Sequence, residues 1–196
     1  MKKNIFAYLV VLIAITVLIS IFFLFGGKDE INDSNEISKI VSDSKLELIH
    51  NLGNFSLEEH SYEKILQVAM LIASEKGYMN ESTTNDYFEY VTKSDAHEII
   101  RELTGMTIEA PIQIEGFYYQ YDSENEYYYL RPSVPPLYKI SKINKVYLDG
   151  DIYIIESTST KTEDGKIISE DTITTKLKFI DANSYTKYQV IEQKIS

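Results

Sequence analysis

From Ile5 to Phe25 the chain runs for 21 residues without a charge, and only Thr16 and Ser20 in that run are clearly polar. At about 1.5 Å rise per residue, a helix of that length spans roughly 30 Å, the hydrocarbon thickness of a bilayer. A helix in a soluble core is rarely apolar on every face for so long. A cleaved secretory signal has a shorter apolar stretch, about 7–15 residues, ahead of small residues at its cleavage site. Here bulky Leu24 and Phe25 stand just before Gly26-Gly27. Residues 1–27 therefore read as an N-terminal transmembrane helix, an uncleaved signal anchor. Lys2 and Lys3 precede the run, and positive flanks stay on the cytoplasmic side. The expectation is a single-pass protein of the cell membrane, its N-terminus cytoplasmic and its remainder extracytoplasmic.

Charge adds to this. The 196 residues carry 19 Lys+Arg and 30 Asp+Glu, a net −11. All the acidic residues follow Gly27, which leaves 17 basic against 30 acidic residues outside, a net −13. A field of that sign disfavours nucleic acid as a partner and predicts a domain that stands off anionic headgroups. Cysteine is absent, which excludes a disulfide scaffold, a thiolate metal site and a cysteine nucleophile.

Residues 28–43 are polar, acidic and rich in Ser and Asn, and read as a flexible tether. Within them only Ile37, Ile40 and Val41 offer a helical turn. Residues 44–196 read as the extracytoplasmic domain. A first helix is expected from Ser56, with Glu59 completing a capping box, and with Tyr62, Ile65, Val68, Ala69 and Ile72 as its buried stripe. Gly77 would end it. A short helix is expected over 85–91, and a third from Thr92, capped with Asp95 in its first turn and stopped by Gly105. Beyond Gly105 the period turns to two. Ile108, Ile112 and Ile114 alternate beside Pro111 as an edge segment. Phe117–Tyr121 and Tyr127–Leu130 form a hairpin, and Arg131–Pro136 a stiff loop. A meander follows, with Asp149-Gly150 as its clearest turn and Ile173, Thr175, Leu177 and Phe179 on one face. Helices first and antiparallel strands after is an α+β layout, with two or three helices packed on one twisted antiparallel sheet.

The helix start VTKSDAHEIIRELTG (Val91–Gly105), followed by FYYQYDSENEYYYL (Phe117–Leu130), resembles a recurrent pattern in uncharacterised signal-anchored exported proteins of low-GC Gram-positive, clostridial-type bacteria. The sheet domains of such proteins are similar to the NTF2-like or cystatin-like group. The resemblance implies that fold and no established activity, since such folds host enzymes, binders and assembly subunits alike.

The residues themselves point away from catalysis. His50, His60 and His97 lack metal-ligand spacing. No G-x-S-x-G, S-x-x-K set or glycine-rich phosphate loop is present. The paired carboxylates fall in turns and helix starts, where acids serve turn geometry and the helix dipole. No cofactor or metal is expected, and no enzyme. The one compositional anomaly is the aromatic hairpin: Tyr118, Tyr119, Tyr121, Tyr127, Tyr128 and Tyr129, with Arg131 following. Adjacent strand residues point to opposite faces, so these cannot all enter one core. They serve either as cross-strand support or as a contact surface for a protein partner. The functional expectation is a protein-binding accessory or assembly factor at the bacterial cell envelope. The alternative is a small-ligand or peptide binder with a cone between helices and sheet.

Overall fold

A computed structural model of the chain describes residues 28–81, 89–113, 119–130, 138–163 and 166–196. The apolar run 5–25, and with it the expected transmembrane helix, lies outside them. Among the described residues no helix is long and apolar enough to cross a membrane.

The expected tether is ordered. Asp29–Glu30 (β1) pairs with Leu148 and Tyr147, and Ser34–Ser44 forms α1. The Asp33 carboxylate accepts the Asn35 N–H at 2.8 Å and also that of Glu36, which caps the helix. Ile40 is buried in the core, with Ile37 and Val41 packed at its rim. A turn too weak to hold alone becomes a helix once a core receives its apolar face.

Three helical pieces follow: α2 (Leu46–Ile49), a 3-10 turn over His50–Leu52, and α3 (Tyr62–Glu75). The helix α3 starts six residues later than Ser56 because Ser56 and Glu59 close a turn of their own, and Ser61 supplies the cap to Lys64. The helix α4 (Lys93–Thr104) matches expectation, with Thr92 accepting from the Asp95 N–H at 3.1 Å and Gly105 left-handed at φ 74°. Part of the helix expected over 85–91 lies outside the described residues, and its end, Glu89–Val91, belongs to strand β3 (Glu89–Thr92).

The strands form two sheets, which corrects the expectation of a single twisted NTF2-like or cystatin-like sheet under two or three helices. One sheet has five strands in the order β1-β6-β7-β8-β9, with β6 at Tyr138–Asp149, β7 at Ile152–Glu163, β8 at Lys166–Phe179 and β9 at Tyr188–Ile195. The other has four in the order β2-β3-β5-β4, with β2 at Asn80–Glu81, β4 at Tyr119–Asp122 and β5 at Tyr127–Leu130. All described pairs are antiparallel. The split arises because β3, from ahead of α4, takes the free side of β5. No part of Met106–Gln113 is in a strand; the Ile112 N–H bonds instead to the Tyr128 hydroxyl. The helix α4 touches β9 of the large sheet and β3 and β5 of the small one, so both sheets share one core with four helices.

Strand β6 has an unusual local logic. From Lys139 to Val146 the sequence runs in triplets of lysine, aliphatic residue and Ser or Asn: Lys139-Ile140-Ser141, Lys142-Ile143-Asn144, Lys145-Val146. A regular strand alternates with period two, and this pattern would put lysines on both faces. Two register shifts against β7, between Ile140 and Lys142 and between Ile143 and Lys145, absorb Ser141 and Asn144. Each shift adds one residue opposite the partner strand, a β-bulge. Ile140, Ile143 and Val146 then face Ser159, Ser157 and Ile155 on the inner side, and Lys139, Lys142 and Lys145 stay together on the outer side. Both bulge residues are satisfied by Thr158: Ser141 donates to its carbonyl at 2.9 Å, and Asn144 Nδ2 to its hydroxyl at 3.0 Å.

Exchanging Lys142 with Ile143 keeps composition but drives a lysine inward. It is expected to cost more than about 3 kcal/mol in urea unfolding, whereas exchanging Ser141 with Asn144 costs about 1 kcal/mol or less. A lysine–isoleucine exchange that unfolds like the parent would refute the facing described for β6.

Candidate functional site

Of the seven residues expected to form a contact surface, Tyr118 and Arg131 lie outside the described residues. Tyr119 stands opposite Leu130 at the start of the β4–β5 hairpin. Strand alternation divides the rest. Tyr121 and Tyr128 stand opposite one another, and Tyr128 is also opposite Val91 on β3. This is the inner face. Tyr128 is only 1% exposed, which corrects its reading as a surface residue, and Tyr121 is half-buried, packed against the core. Tyr127 and Tyr129 point the other way.

On that outer face a third tyrosine joins them. Tyr90 of β3 stacks on Tyr127 with ring centroids 4.4 Å apart and planes 23° apart. It lies 5.7 Å from Tyr129, and Tyr127 and Tyr129 meet edge to face at 6.2 Å. All three are partly exposed. Reading the segment before α4 as helix hides Tyr90. The signal that could have found it is the run Tyr90-Val91-Thr92, one aromatic and two β-branched residues, which favours a strand.

The inner face explains why the platform is firm. The Tyr128 hydroxyl accepts the Ile112 N–H at 2.8 Å and lies 3.0 Å from His97 Nε2. With its oxygen accepting from Ile112, the phenol has its one proton to give to His97, whose ring is then neutral with the proton on Nδ1 facing Ile108. Burial pushes the Tyr128 hydroxyl up to about 12 and holds the His97 ring below its usual value. The turn between β4 and β5 is set by Asp122, whose carboxylate accepts the N–H groups of Glu124 and Asn125.

A second polar centre lies under the large sheet. His50 is 0% exposed, with Nδ1 2.9 Å from the Ser159 hydroxyl and Nε2 3.4 Å from that of Ser157. Ser157 gives its proton to the Ile173 carbonyl, so it accepts from Nε2, and Ser159 donates to Nδ1. A serine beside a histidine suggests an activated nucleophile. Here all three groups are sealed from solvent, and among the described residues no carboxylate bonds to the ring. The trio fastens the 3-10 turn to the sheet. Desolvation alone holds the His50 ring down to about 4.

Among the described residues, hollows open broadly to solvent in at least three places. One of about 480 Å³ runs along Thr107–Gln113 beside Tyr62. One of about 410 Å³ lies between Gly105 and Asp181. One of about 250 Å³ lies where α1, α2 and Ile140 meet. Among the described residues no three of His, Asp and Glu come within reach of one metal ion. Compared with models of known protein families, with curated proteins and with solved structures, the chain matches none.

Tyr128→Phe strands the Ile112 N–H and the His97 ring, and is expected to cost about 1–3 kcal/mol in chemical denaturation. The His50 ring gives a pH signature. Its folded value lies below the unfolded one, so between them the unfolded chain binds the extra proton. The contribution of His50 to stability is complete above about pH 6.5, falls as the pH drops and flattens below about 4, a loss of about 3 kcal/mol. Unfolding of His50→Leu across that window should show a slope shallower by up to one proton. An unchanged slope would mean that His50 titrates freely in the folded protein.

Proposed function

We propose that this is a protein-binding module without catalysis, held at the bacterial cell membrane by its apolar N-terminal segment, with the α+β domain outside the cytoplasm. It acts as an accessory or assembly factor of the envelope. The observation that carries the binding reading is the Tyr90, Tyr127 and Tyr129 cluster on the outer face of the small sheet. Tyrosines give large, amphipathic contact area at low entropic cost, and they are enriched where protein surfaces meet. Pre-stacked rings with a satisfied core behind them lose little freedom on binding. The location rests on the sequence of residues 5–25 and on Lys2 and Lys3 ahead of them.

Photo-crosslinking in the native cell tests this reading, with the probe at Tyr127 and a control probe at exposed Lys166. The expected result is a discrete heavier band from Tyr127 alone, weakened by Tyr90→Ala. Tyr128 is the wrong place for the probe because it is buried. No band from Tyr127, with the protein intact in the membrane fraction, would end the reading.

A further inference from the structure

We infer that the outer face of β6 rests on anionic lipid headgroups and so fixes the orientation of the domain on the membrane. The inference rests on the proposal that residues 5–25 hold the chain there.

The domain begins almost where the apolar run ends. Phe25 closes the run, and Asp29 is already paired with Leu148. Four residues of fully extended chain span at most about 14 Å. The Tyr147–Leu148 end of β6, about 5 Å beyond β1, therefore sits at most about 19 Å from the end of the run, between two and three Debye lengths of about 8 Å at physiological salt. The rest of β6 reaches the surface only if the strand lies along it.

At that point the structure builds a basic, aromatic contact. Lys28 lies over the Tyr147 ring at 5.9 Å from its centroid, and Lys145 over the same ring at 6.0 Å. Tyrosine flanked by lysine suits the membrane–water interface, where an amphipathic ring and a snorkelling ammonium both find partners. From there the row runs along β6. Lys145, Lys142 and Lys139 stand opposite Glu156, Thr158 and Thr160, every second residue of β7. Their spacing is thus about 7 Å. All three are exposed, and none forms an ion pair with a described residue. The other lysines of this face are engaged: Lys176 and Lys194 with Glu192, and Lys178 with Asp151. Unpaired positive charge on this face is therefore gathered on β6, next to the proposed anchor, with Glu30 and Glu156 near Lys145, Glu47 on the Ile140 N–H beside Lys139, and Glu170 across Thr160 from Lys139. The net −13 of the exported part still repels headgroups. It leaves this face as the one the membrane attracts.

The chain has no cysteine, so one introduced thiol reports one place. The full chain, reconstituted in vesicles, would carry a fluorophore at Thr174→Cys on the outer face of the large sheet or at Glu63→Cys on the helical side. Acrylamide, a neutral aqueous quencher, reads access. With about 30% phosphatidylglycerol in phosphatidylcholine, quenching at position 174 should fall about two-fold or more relative to phosphatidylcholine alone. Position 63 should not change. The exposed substitutions Lys139→Gln, Lys142→Gln and Lys145→Gln together, or salt near 0.5 M, where the Debye length is about 4 Å, should restore full quenching. Equal quenching in both vesicles, or protection that survives the triple substitution, overturns the inference. Protection produced by added polyphosphate but not by anionic vesicles overturns it in favour of a soluble polyanion. Flotation of the same samples reads the anchor separately. A chain that floats but is not protected loses the orientation and keeps the anchor, and a chain that does not float loses both.

Discussion

One side chain ties the last strand to the turn over Ile49–Gly53. Gln193, on the last strand and 1% exposed, points its amide nitrogen at three carbonyls, those of Ile49, His50 and Gly53, at 3.2, 3.3 and 2.8 Å. Its amide oxygen accepts from Thr175 on the neighbouring strand at 3.0 Å. Its backbone exchanges both hydrogen bonds with Phe55. The end of a helix leaves carbonyls without partners, and a short helix leading into a 3-10 turn is mostly ends. Gln193 supplies donors for them from a strand 140 or more residues away. Gly53 makes the arrangement possible: its φ of 71° with ψ of −147° is a conformation that essentially only glycine adopts, and it turns the carbonyl toward Gln193. Buried amides left unpaired cost more than paired ones gain. The interaction therefore specifies this packing of turn on sheet more than it adds net stability.

The His50 centre sits beside Gln193 and works in the same way, and the His97–Tyr128–Ile112 chain repeats the device under the small sheet. Each ties an irregular segment to a regular one: the 3-10 turn to β7, and the loop after α4 to β5. Both use a neutral histidine bonded to hydroxyls, with the Ile108 backbone on the other nitrogen of His97, so neither needs a buried charge, which would be far more expensive to desolvate. The consequence for the surface is direct. The tyrosines that face outward are held at fixed register by inward-facing Tyr128.

Much of this could be read from the sequence where local rules act alone. The Thr92 cap, the Gly105 stop, the hairpin at Asp149-Gly150 and the alternation of Ile173, Thr175 and Leu177 all appear where expected, while Phe179, the fourth of that set, is half exposed at the end of its strand. What could not be read depends on distant partners. The helix α1 exists because Ile40 finds a core. The small sheet exists because Tyr90, Val91 and Thr92 find β5, and no local pattern names that partner. Strand β6 escapes for a different reason: its period of three matches neither strand nor helix, and it makes sense only once β7 is seen to skip Ser141 and Asn144. In the aromatic hairpin the alternation rule required two faces, but it could not say which face was buried. That was decided by Val91 and by the Ile112 N–H, both remote in sequence.

Which parts of the large sheet can be addressed by another molecule follows from how its edges are closed. Open strand edges invite pairing with other chains. Along β6 the Tyr138 N–H is taken by the Asn51 side chain and the Ile140 N–H by the Glu47 carboxylate. Beyond the two bulges, β1 covers Leu148 and Tyr147, and Ile31 continues to the Val146 carbonyl. At the opposite edge Phe55 pairs with Gln193, and Asn54 takes the Ile195 N–H. Side chains and short segments thus consume the backbone groups that strand addition would need, and the bulges twist what remains out of register with any straight partner. Edge protection accounts for the bulges, but not for three lysines projecting from the face instead of the edge. A sheet closed in this way meets its surroundings through the outer face of the sheet, and there the lysines that form no ion pair with a described residue lie on β6, the strand beside β1.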